Sequence, residues 1–344
     1  MAVDRPLGPV MVDLAGLEVS SSERVMLGHP LVGGVILFAR NYQAPDQLRA
    51  LTGAIHSVRW PPLLIAVDHE GGRVQRFVDG FTRIQPMRAL GQVHDRDPAL
   101  AANLAGALGV VLAAELRSHG IDFSFAPVVD IDFGSSSIIG DRAFHADPGV
   151  VAVLAGALAG GMARMGMGAV AKHFPGHGYV RADSHHAVPI DERDLAIIEA
   201  QDLAPYRELI RQGLAGVMPA HVIYPKVDSR PAGFSPAWLK SILRGRLGFD
   251  GLVFSDDLSM EGASVAGGMI ERARAALTAG CDMVLVCNAP DEAQRLLDGL
   301  GPAALDQARA ARMRAGDDAG TSRQSTYRTA LAEVMRSRDA GRLA

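Results

Sequence analysis

The fold is decided by the stretch 168-GAVAKHFPGHG-178. Its apolar first part is typical of a buried strand, whereas Pro175, Gly176 and Gly178 exclude a regular helix or strand beyond it. The stretch therefore predicts a strand that runs into an irregular loop. One lysine, four histidines and one aspartate lie within residues 172–186. Because loops held by a rigid scaffold are the usual place for chemistry, we expect a functional site here.

Seven further apolar runs lie along the chain, and helical patterns separate most of them. Each run is nearly continuous rather than alternating, which is typical of parallel strands that are covered on both faces. The eight predicted strands are Val10–Leu14, Gly34–Phe38, Leu63–Val67, Phe123–Val128, Ala169–His173, Gly216–Pro219, Leu252–Ser255 and Met283–Cys287.

The helical patterns have recognisable N-termini. Asp97, Asp147 and Ser235 each precede a proline, which places a capping side chain before proline at the first helical position. Two helices are predicted over Pro98–Ser118 and Leu195–Gln212. Eight β units separated by helices predict an α/β fold, a single (β/α)8 TIM-type barrel that is less regular in its first and last units. A doubly wound sheet is the main alternative, but no Gly-x-Gly-x-x-Gly follows the first strand.

The domain organisation follows from the same pattern. No Ser/Pro-rich linker interrupts the chain, so residues 1–300 are predicted to form the barrel domain. Beyond Gly301 the sequence is rich in alanine and arginine, with a polar break over residues 315–325. We interpret residues 301–344 as a peripheral helical extension of the same domain with a frayed end.

Composition argues against several classes of partner. Charged residues make up 21% of the 344 residues, the net charge is −4, and no basic cluster occurs, which argues against nucleic acid and acidic membrane surfaces. Cys281 and Cys287 bracket an apolar run and are interpreted as buried free thiols in a reducing compartment. The N-terminus has no apolar h-region and no stretch approaches transmembrane length, so we expect a cytoplasmic protein.

Polar residues cluster where the predicted strands end. Asp68-His69-Glu70 follows strand three, and Lys172-His173 ends strand five. Asp141-Arg142, His221 and Asp256-Asp257 follow strands four, six and seven. In a barrel, the carboxyl ends of all strands face one mouth, where barrel enzymes carry their active sites. These residues are therefore expected to converge on one pocket.

Five motifs resemble the signatures of family 3 glycoside hydrolases, in particular the single-domain bacterial β-N-acetylglucosaminidases (β-hexosaminidases) of peptidoglycan recycling. The motifs are 66-AVDHEGGRV-74, 139-IGDRAF-144, 172-KHFPGHG-178, 183-DSH-185 and 254-FSDDLSM-260. The resemblance covers roughly residues 8–290. It implies a monomeric, retaining exo-β-N-acetylglucosaminidase that needs no cofactor or metal. Its implied substrates are muropeptides of the GlcNAc-1,6-anhydroMurNAc type, from which it removes the terminal N-acetylglucosamine.

The resemblance also implies the catalytic residues. Asp256 is the predicted nucleophile, because a retaining glycosidase needs a carboxylate that forms a covalent glycosyl–enzyme ester. His185 is the predicted general acid/base, and Asp183 orients it and raises its proton affinity. The alternative for this loop is a solvated polar segment, and His186 is the neighbour most easily confused with His185.

A set of charged residues is expected to hold the sugar. The predicted substrate-binding residues are Asp68, Arg76, Arg142, Lys172 and His173. Dense hydrogen bonding is needed because a buried polar group without a partner costs about 1–3 kcal/mol. A structural ion pair of Asp68 with Arg76 or Lys172 is the alternative, and the two roles are compatible. Aromatic residues make up only 5% of the chain, which favours a pocket for one terminal sugar over a long groove.

Three other functions remain as alternatives. Histidines and aspartates at strand ends are the donors that a catalytic zinc site needs, which would give a metal-dependent barrel hydrolase. Against it, no His-x-His ends the first strand, and the ammonium of Lys172 would repel a cation. The other two are a β-glucosidase of the same family and a non-catalytic sugar-binding protein. The presence of both Asp256 and His185 argues against the last.

Overall fold

The computed structural model describes residues 3–181, 188–316 and 321–343. Its central sheet has eight parallel strands. Their bounds are β1 Val10–Val12, β2 Val32–Leu37, β3 Leu64–Val67, β4 Phe123–Ser124, β5 Val170–Phe174, β6 Gly216–Pro219, β7 Leu252–Asp257 and β8 Met283–Leu285. All eight predicted strands are confirmed, and the differences are confined to their ends.

The sheet curls into a barrel. Adjacent strands run from β4 through β3, β2 and β1 to β8, β7, β6 and β5, and every pair is parallel. The gap between β4 and β5 is bridged just beyond β4, where Val128 pairs with Lys172. There the Val170 N–H also donates to the Ala126 carbonyl at 2.8 Å. This topology confirms the predicted (β/α)8 barrel and excludes the doubly wound sheet.

Aromatic side chains fill the barrel interior. Phe123, Phe125 and Phe254 are fully buried, and their ring centroids lie 5.2–5.3 Å apart. Strands β4 and β7 are not neighbours, because β5 and β6 lie between them, so these contacts cross the barrel interior. Since the interior is packed, a ligand can enter only at an open end, as in other barrels of this type.

Helices cover the outside of the barrel. Their bounds are α1 Ser21–Leu27, α2 Pro45–His56, α3 Arg88–His94, α4 Pro98–Arg117, α5 Pro148–Arg164, α6 Leu195–Ala200, α7 Leu203–Arg211, α8 Met269–Ala279, α9 Pro290–Gly299, α10 Gln307–Met313 and α11 Thr321–Asp339. A π-helix spans Ala237–Arg246. The predicted caps Asp97 and Asp147 accept backbone N–H groups at the starts of α4 and α5, at 3.0 and 2.7 Å.

Shorter elements connect these helices and strands. Short helical turns of the 3-10 type span Ala39–Asn41, Gly140–Arg142, Ala232–Phe234 and Glu261–Ala266. Two-stranded pairs outside the barrel join Val3–Asp4 to Arg59–Trp60, His69–Gly71 to Val74–Gln75, and Ile223–Tyr224 to Asp228–Pro231.

Helix α4 has 20 residues and is apolar enough to cross a membrane by length and composition alone. The expectation that no stretch approaches transmembrane length is therefore wrong. Much of its apolar surface is buried, and glycines bring it close to α5. A Cβ on Gly109 would lie 2.0 Å from the Leu158 oxygen, and one on Gly161 would lie 2.1 Å from the Gly106 oxygen. Burial between the barrel and α5 accounts for the composition of α4.

The predicted helix Leu195–Gln212 is divided into α6 and α7. The break falls at Asp202, a buried carboxylate that accepts Arg193 Nη1 at 2.9 Å and Nη2 at 3.2 Å. Predicting one helix was wrong because helical periodicity does not reveal a buried ion pair with a residue that precedes the helix.

The chain beyond residue 300 is helical over most of its described part. In α10, Arg309 forms ion pairs with Asp250 at 3.0 Å and Asp282 at 3.1 Å. Helix α11 packs on α4, where the Tyr327 hydroxyl donates to Glu115 Oε1 at 3.0 Å. The domain boundary at residue 300 and the frayed end stay predictions.

Candidate active site

A cavity of about 440 Å³ opens at the carboxyl ends of the strands. We call it the first cavity. Six predicted site residues line it, namely Asp68, Arg76, Arg142, Lys172, His173 and Asp256. These are all the predicted site residues that lie within the described parts of the chain, and the fold therefore brings them together. Asp183, His185 and His186 lie outside the described residues.

Asp256 lies near the end of β7, partly exposed to the first cavity. Its Oδ1 accepts the Asp257 N–H at 2.8 Å, which fixes the orientation of the carboxylate. Burial raises the pKa of Asp256, but the neighbouring His221, His173 and Lys172 lower it by more, so the net pKa is below its ordinary value. The side chain is therefore an ionised carboxylate at neutral pH.

The adjacent Asp257 has a different environment. Its Oδ1 accepts the N–H groups of Ser259 at 2.9 Å and Cys287 at 3.1 Å, and so holds the loop after β7 against the end of β8. Burial raises the pKa of Asp257 to about 6. Two neighbouring carboxyl groups thus have pKa values shifted in opposite directions, and Asp256 is the one that stays ionised to lower pH.

Buried ion pairs hold the opposite wall of the cavity. Lys172 Nζ lies 2.7 Å from Asp68 Oδ1 and 2.6 Å from Glu70 Oε1. Glu70 also accepts Arg142 through two hydrogen bonds of 2.8 Å, the bidentate geometry that favours arginine. Arg76 lies 3.5 Å from the other oxygen of Asp68. The ion-pair alternative for Asp68 is therefore observed, and its carboxylate still faces the cavity.

The charges of this wall are strongly stabilised. Burial raises the pKa of Glu70, but Arg142 and Lys172 lower it by more, so the net shift is downward. Burial lowers the pKa of Lys172, but Asp68 and Glu70 raise it by more. Glu70, Lys172 and Arg142 are consequently charged at neutral pH, and their ion pairs hold them in place before any ligand binds.

Asp130 is a site residue that the sequence reasoning missed. It is fully buried, and its Oδ2 lies 2.7 Å from His173 Nδ1, while its Oδ1 accepts the N–H groups of His173 and His177 at 3.2 and 2.7 Å. Because Nδ1 is engaged, only Nε2 of His173 is available to a ligand. A lone charged residue in the apolar run 125-FAPVVDI-131 was the signal that could have revealed it.

His221 lies behind the predicted nucleophile. It is fully buried, its Nε2 donates to the Asp257 carbonyl at 3.1 Å, and its ring stacks on Phe234 with centroids 5.4 Å apart. Burial lowers the pKa of His221. The residue fixes the backbone after Asp256 and does not line the cavity.

Within residues 3–181, 188–316 and 321–343, no three His, Cys, Asp or Glu side chains are arranged to hold a metal ion. Lys172 also occupies the centre of the polar wall. A (β/α)8 barrel with an ionised carboxylate and preformed ion pairs at its mouth is typical of a barrel enzyme that acts on a polar substrate.

Comparisons with known proteins identify the family. Residues 7–313 match the glycosyl hydrolase family 3 N terminal domain. The β-hexosaminidases of Methylobacillus flagellatus and Bordetella avium are 60% and 64% identical to this chain, over 90% and 88% of it and 89% and 88% of their own lengths. NagZ from Neisseria gonorrhoeae, solved with N-trifluoroacetyl-D-glucosamine, is 49% identical, with a TM-score of 0.90 over 97% of this chain and 99% of that one.

The chain therefore belongs to glycosyl hydrolase family 3. The predicted family and the predicted class of enzyme, a β-hexosaminidase-type glycosidase, are confirmed.

Proposed function

We propose that the protein is a retaining exo-β-N-acetylglucosaminidase that acts through a covalent intermediate on Asp256. The observation that carries the proposal is this carboxylate, which is oriented by the Asp257 N–H, faces a charged cavity and has a lowered pKa. An ionised carboxylate in this position can attack the anomeric carbon and form a glycosyl ester. The relatives are named β-hexosaminidases, and one was solved with an N-acylated glucosamine, which supports a 2-acetamido sugar over a plain glucoside.

The opposite wall suits the hydroxyl groups of a single terminal sugar. Lys172 and Arg76 each approach one oxygen of Asp68, and a carboxylate has about four lone-pair sites, so acceptor capacity remains for sugar hydroxyls. Glu70 pairs with both Lys172 and Arg142 and fixes their positions. Because these groups are already oriented, they lose little conformational entropy when the sugar binds.

The leaving group needs a proton, which we assign to His185 with Asp183 as its partner. The ordinary pKa of histidine is close to neutrality, so one imidazole can protonate the glycosidic oxygen and then take a proton from the attacking water. This step rests on the motif 183-DSH-185, which lies outside the described residues.

For the biological context, we propose muropeptides of the GlcNAc-1,6-anhydroMurNAc type as substrates, cleaved in the cytoplasm during peptidoglycan recycling. The enzyme would act as a monomer and without a cofactor, and its role would belong to cell-wall biogenesis, cell division and cell shape. Support comes from the five sequence motifs and from their order along the chain.

The proposal is tested with the 4-nitrophenyl β-glycosides of N-acetylglucosamine and of glucose, assayed with and without EDTA. We expect hydrolysis of the N-acetylglucosaminide in EDTA and a loss of at least ~10³-fold in kcat for Asp256→Ala. Azide should restore turnover of Asp256→Ala and give the α-glycosyl azide, because azide attacks from the face that the carboxylate has vacated. Asp141→Ala is the matched control, since this half-exposed carboxylate does not line the cavity.

Each contrary outcome has a definite meaning. Full activity of Asp256→Ala would refute the nucleophile, and activity abolished by EDTA would favour the metal-dependent hydrolase. Hydrolysis of the glucoside alone would keep the mechanism and change the substrate class.

A further inference from the structure

Arg40 connects the ends of three neighbouring strands at the mouth of the barrel. It follows β2, and its Nε donates at 2.9 Å to the carbonyl of Leu14, which follows β1. Its Nη1 donates at 2.7 Å to Oδ1 of Asn288, which follows β8, and its Nη2 forms an ion pair with Asp13. Because β2, β1 and β8 are adjacent in the sheet, one guanidinium fixes their carboxyl ends relative to one another.

Asn288 is held in a backbone conformation that side chains other than glycine rarely adopt. Its φ is 57°, and it is the single non-glycine residue with positive φ in the described parts of the chain. Its N–H donates at 2.7 Å to Asp13 Oδ2, the same oxygen that pairs with Arg40. Such outliers persist where the surrounding structure fixes them, and they are concentrated at functional sites. Arg40 and Asp13 supply that fixation here.

A chain of hydrogen bonds leads from Asn288 to the proposed nucleophile. The N–H of the preceding Cys287 donates to Asp257 Oδ1 at 3.1 Å, and the Asp257 N–H donates to Asp256 Oδ1 at 2.8 Å. Asn288 and Cys287 also line the first cavity. The conformation of the segment after β8 therefore helps to set the position of the Asp256 carboxylate.

The same guanidinium reaches the opposite wall of the first cavity through an aromatic ring. Arg40 lies 4.6 Å from the ring centre of Phe38, and Arg76 lies 5.7 Å from it. Arg76 in turn lies 3.5 Å from Asp68, which has lone pairs for the sugar hydroxyls. Arg40 is thus connected both to the segment that orients the nucleophile and to the wall that holds the sugar.

Arg40 itself is not among the described residues that line the first cavity. Its side chain is 36% exposed, and it borders a separate cavity of about 520 Å³ between α1 and α9. A partly exposed ion pair contributes little to stability by itself. The contacts of Arg40 therefore point to a role in arranging the site rather than in holding the fold together.

We propose that Arg40 is a positioning residue that holds the Asp256 carboxylate at the correct distance from a sugar bound at Asp68. This inference rests on the proposed function. A misplacement of about 1 Å can lower the rate of the chemical step by about 10²-fold. Loss of the guanidinium therefore affects the reaction more than it affects the binding of the sugar.

The test is chemical rescue of Arg40→Ala with the guanidinium ion, assayed on 4-nitrophenyl β-N-acetylglucosaminide. The substitution leaves a gap beside Asp13 and Asn288 that the ion can reach through the separate cavity. We expect kcat to fall at least ~10-fold and KM to change less than ~3-fold. Guanidinium chloride at millimolar concentration should restore much of the lost kcat, whereas sodium chloride at the same concentration should not.

Arg309→Ala is the matched control. Arg309 bridges Asp250 and Asp282, which precede β7 and β8 at the other end of the barrel. Both variants lose an arginine that joins separate segments, so both can lower the temperature of unfolding, but only Arg40→Ala should lower kcat. Asp13→Asn is a second variant, which removes the ion pair and keeps the side-chain volume. It should lower kcat as well, and guanidinium should not restore it because Arg40 is still present.

A wild-type kcat in Arg40→Ala, or a loss of kcat that Arg309→Ala shares, would overturn the positioning role and leave the proposed function intact. A loss that guanidinium does not restore would also overturn it. If Arg40→Ala does not fold, Asp13→Asn decides, and a wild-type kcat in that variant overturns the role. Failure of the wild-type enzyme to hydrolyse any β-N-acetylglucosaminide would overturn the proposed function and this inference with it.

Discussion

Glu70→Gln is the substitution with the largest expected effect on the stability of this site. The side chain keeps its volume and loses its charge, while Lys172 and Arg142 remain buried beside it. Glu70 accepts three charged hydrogen bonds, one of 2.6 Å from Lys172 and two of 2.8 Å from Arg142. Each charged hydrogen bond contributes about 1.5–3 kcal/mol to stability. The sum over these three bonds is therefore an upper bound on the free energy of unfolding that Glu70→Gln loses.

The net effect is smaller than that bound. The glutamine oxygen can still accept a hydrogen bond from Lys172 or from Arg142, and Asp68 still pairs with Lys172. Breaking a buried ion pair by removing one partner costs about 3–5 kcal/mol, which is our expected decrease in the free energy of unfolding. Most domains have only about 5–15 kcal/mol in total, so the variant should unfold at a clearly lower denaturant concentration.

The assay is equilibrium unfolding in urea, an uncharged denaturant that does not screen ion pairs. Asp141→Asn is the control, because Asp141 and Arg73 are half exposed and 3.5 Å apart, and such surface pairs contribute about 0–1 kcal/mol. The pKa of Glu70 is lowered in the folded state, so its contribution is complete above its ordinary pKa of 4.5 and declines as the pH falls below that value. A decrease equal to that of the control, or one independent of pH, would refute the reasoning.

Three further substitutions test other parts of the structure. Asp130→Asn should lower kcat/KM on the N-acetylglucosaminide ~10-fold or more, because His173 loses the charged partner that orients its ring. An unchanged kcat/KM would contradict this. Asp257→Asn should gain stability relative to the wild type as the pH rises through about 6, because burial raises the pKa of this carboxyl and its ionisation costs free energy in the folded state. Gly109→Ala should lower the free energy of unfolding by about 1–3 kcal/mol through its clash with Leu158, whereas Gly106→Ala, whose nearest atom is 3.7 Å away, should be neutral or stabilising.

The strands could be predicted because burial on both faces leaves a signal in the sequence. Each barrel strand must be apolar along its length, and a polar residue at its end marks the mouth. Residues as distant in the chain as Asp68 and Asp256 could therefore be assigned to one pocket before their separation in space was known. The broken helix at Asp202 and the apolar helix α4 were not predicted, because both depend on partners that lie elsewhere in the chain.

The cluster of Asp13, Arg40 and Asn288 beside the mouth of the barrel had no signal in the sequence. Asp13 and Arg40 are single charged residues that follow strands, a common pattern that does not predict a contact between them. The sequence around Asn288 likewise does not indicate its left-handed conformation. Their significance arises when β1 and β8 become neighbours in the closed barrel and Arg40 bridges Asp13 and Asn288. Contacts of this kind form only when the sheet closes, and the pattern of residues within each segment does not show which strands then become neighbours.

Glu70 shows why the roles within a site are harder to predict than its location. Sugar binding was predicted for Asp68 and not for Glu70 on the strength of the resemblance; the residue pattern alone does not distinguish the two roles, since both are ionised residues after the same strand. In the structure Glu70 contacts Lys172 and Arg142, whereas Asp68 contacts Lys172 from the cavity side. The difference is one of exposure: the Glu70 side chain is 3% exposed and pairs with both cations, whereas the Asp68 side chain is 20% exposed and retains lone pairs for a ligand. Removing the first should therefore reduce stability most, and removing the second should raise KM with a smaller effect on unfolding.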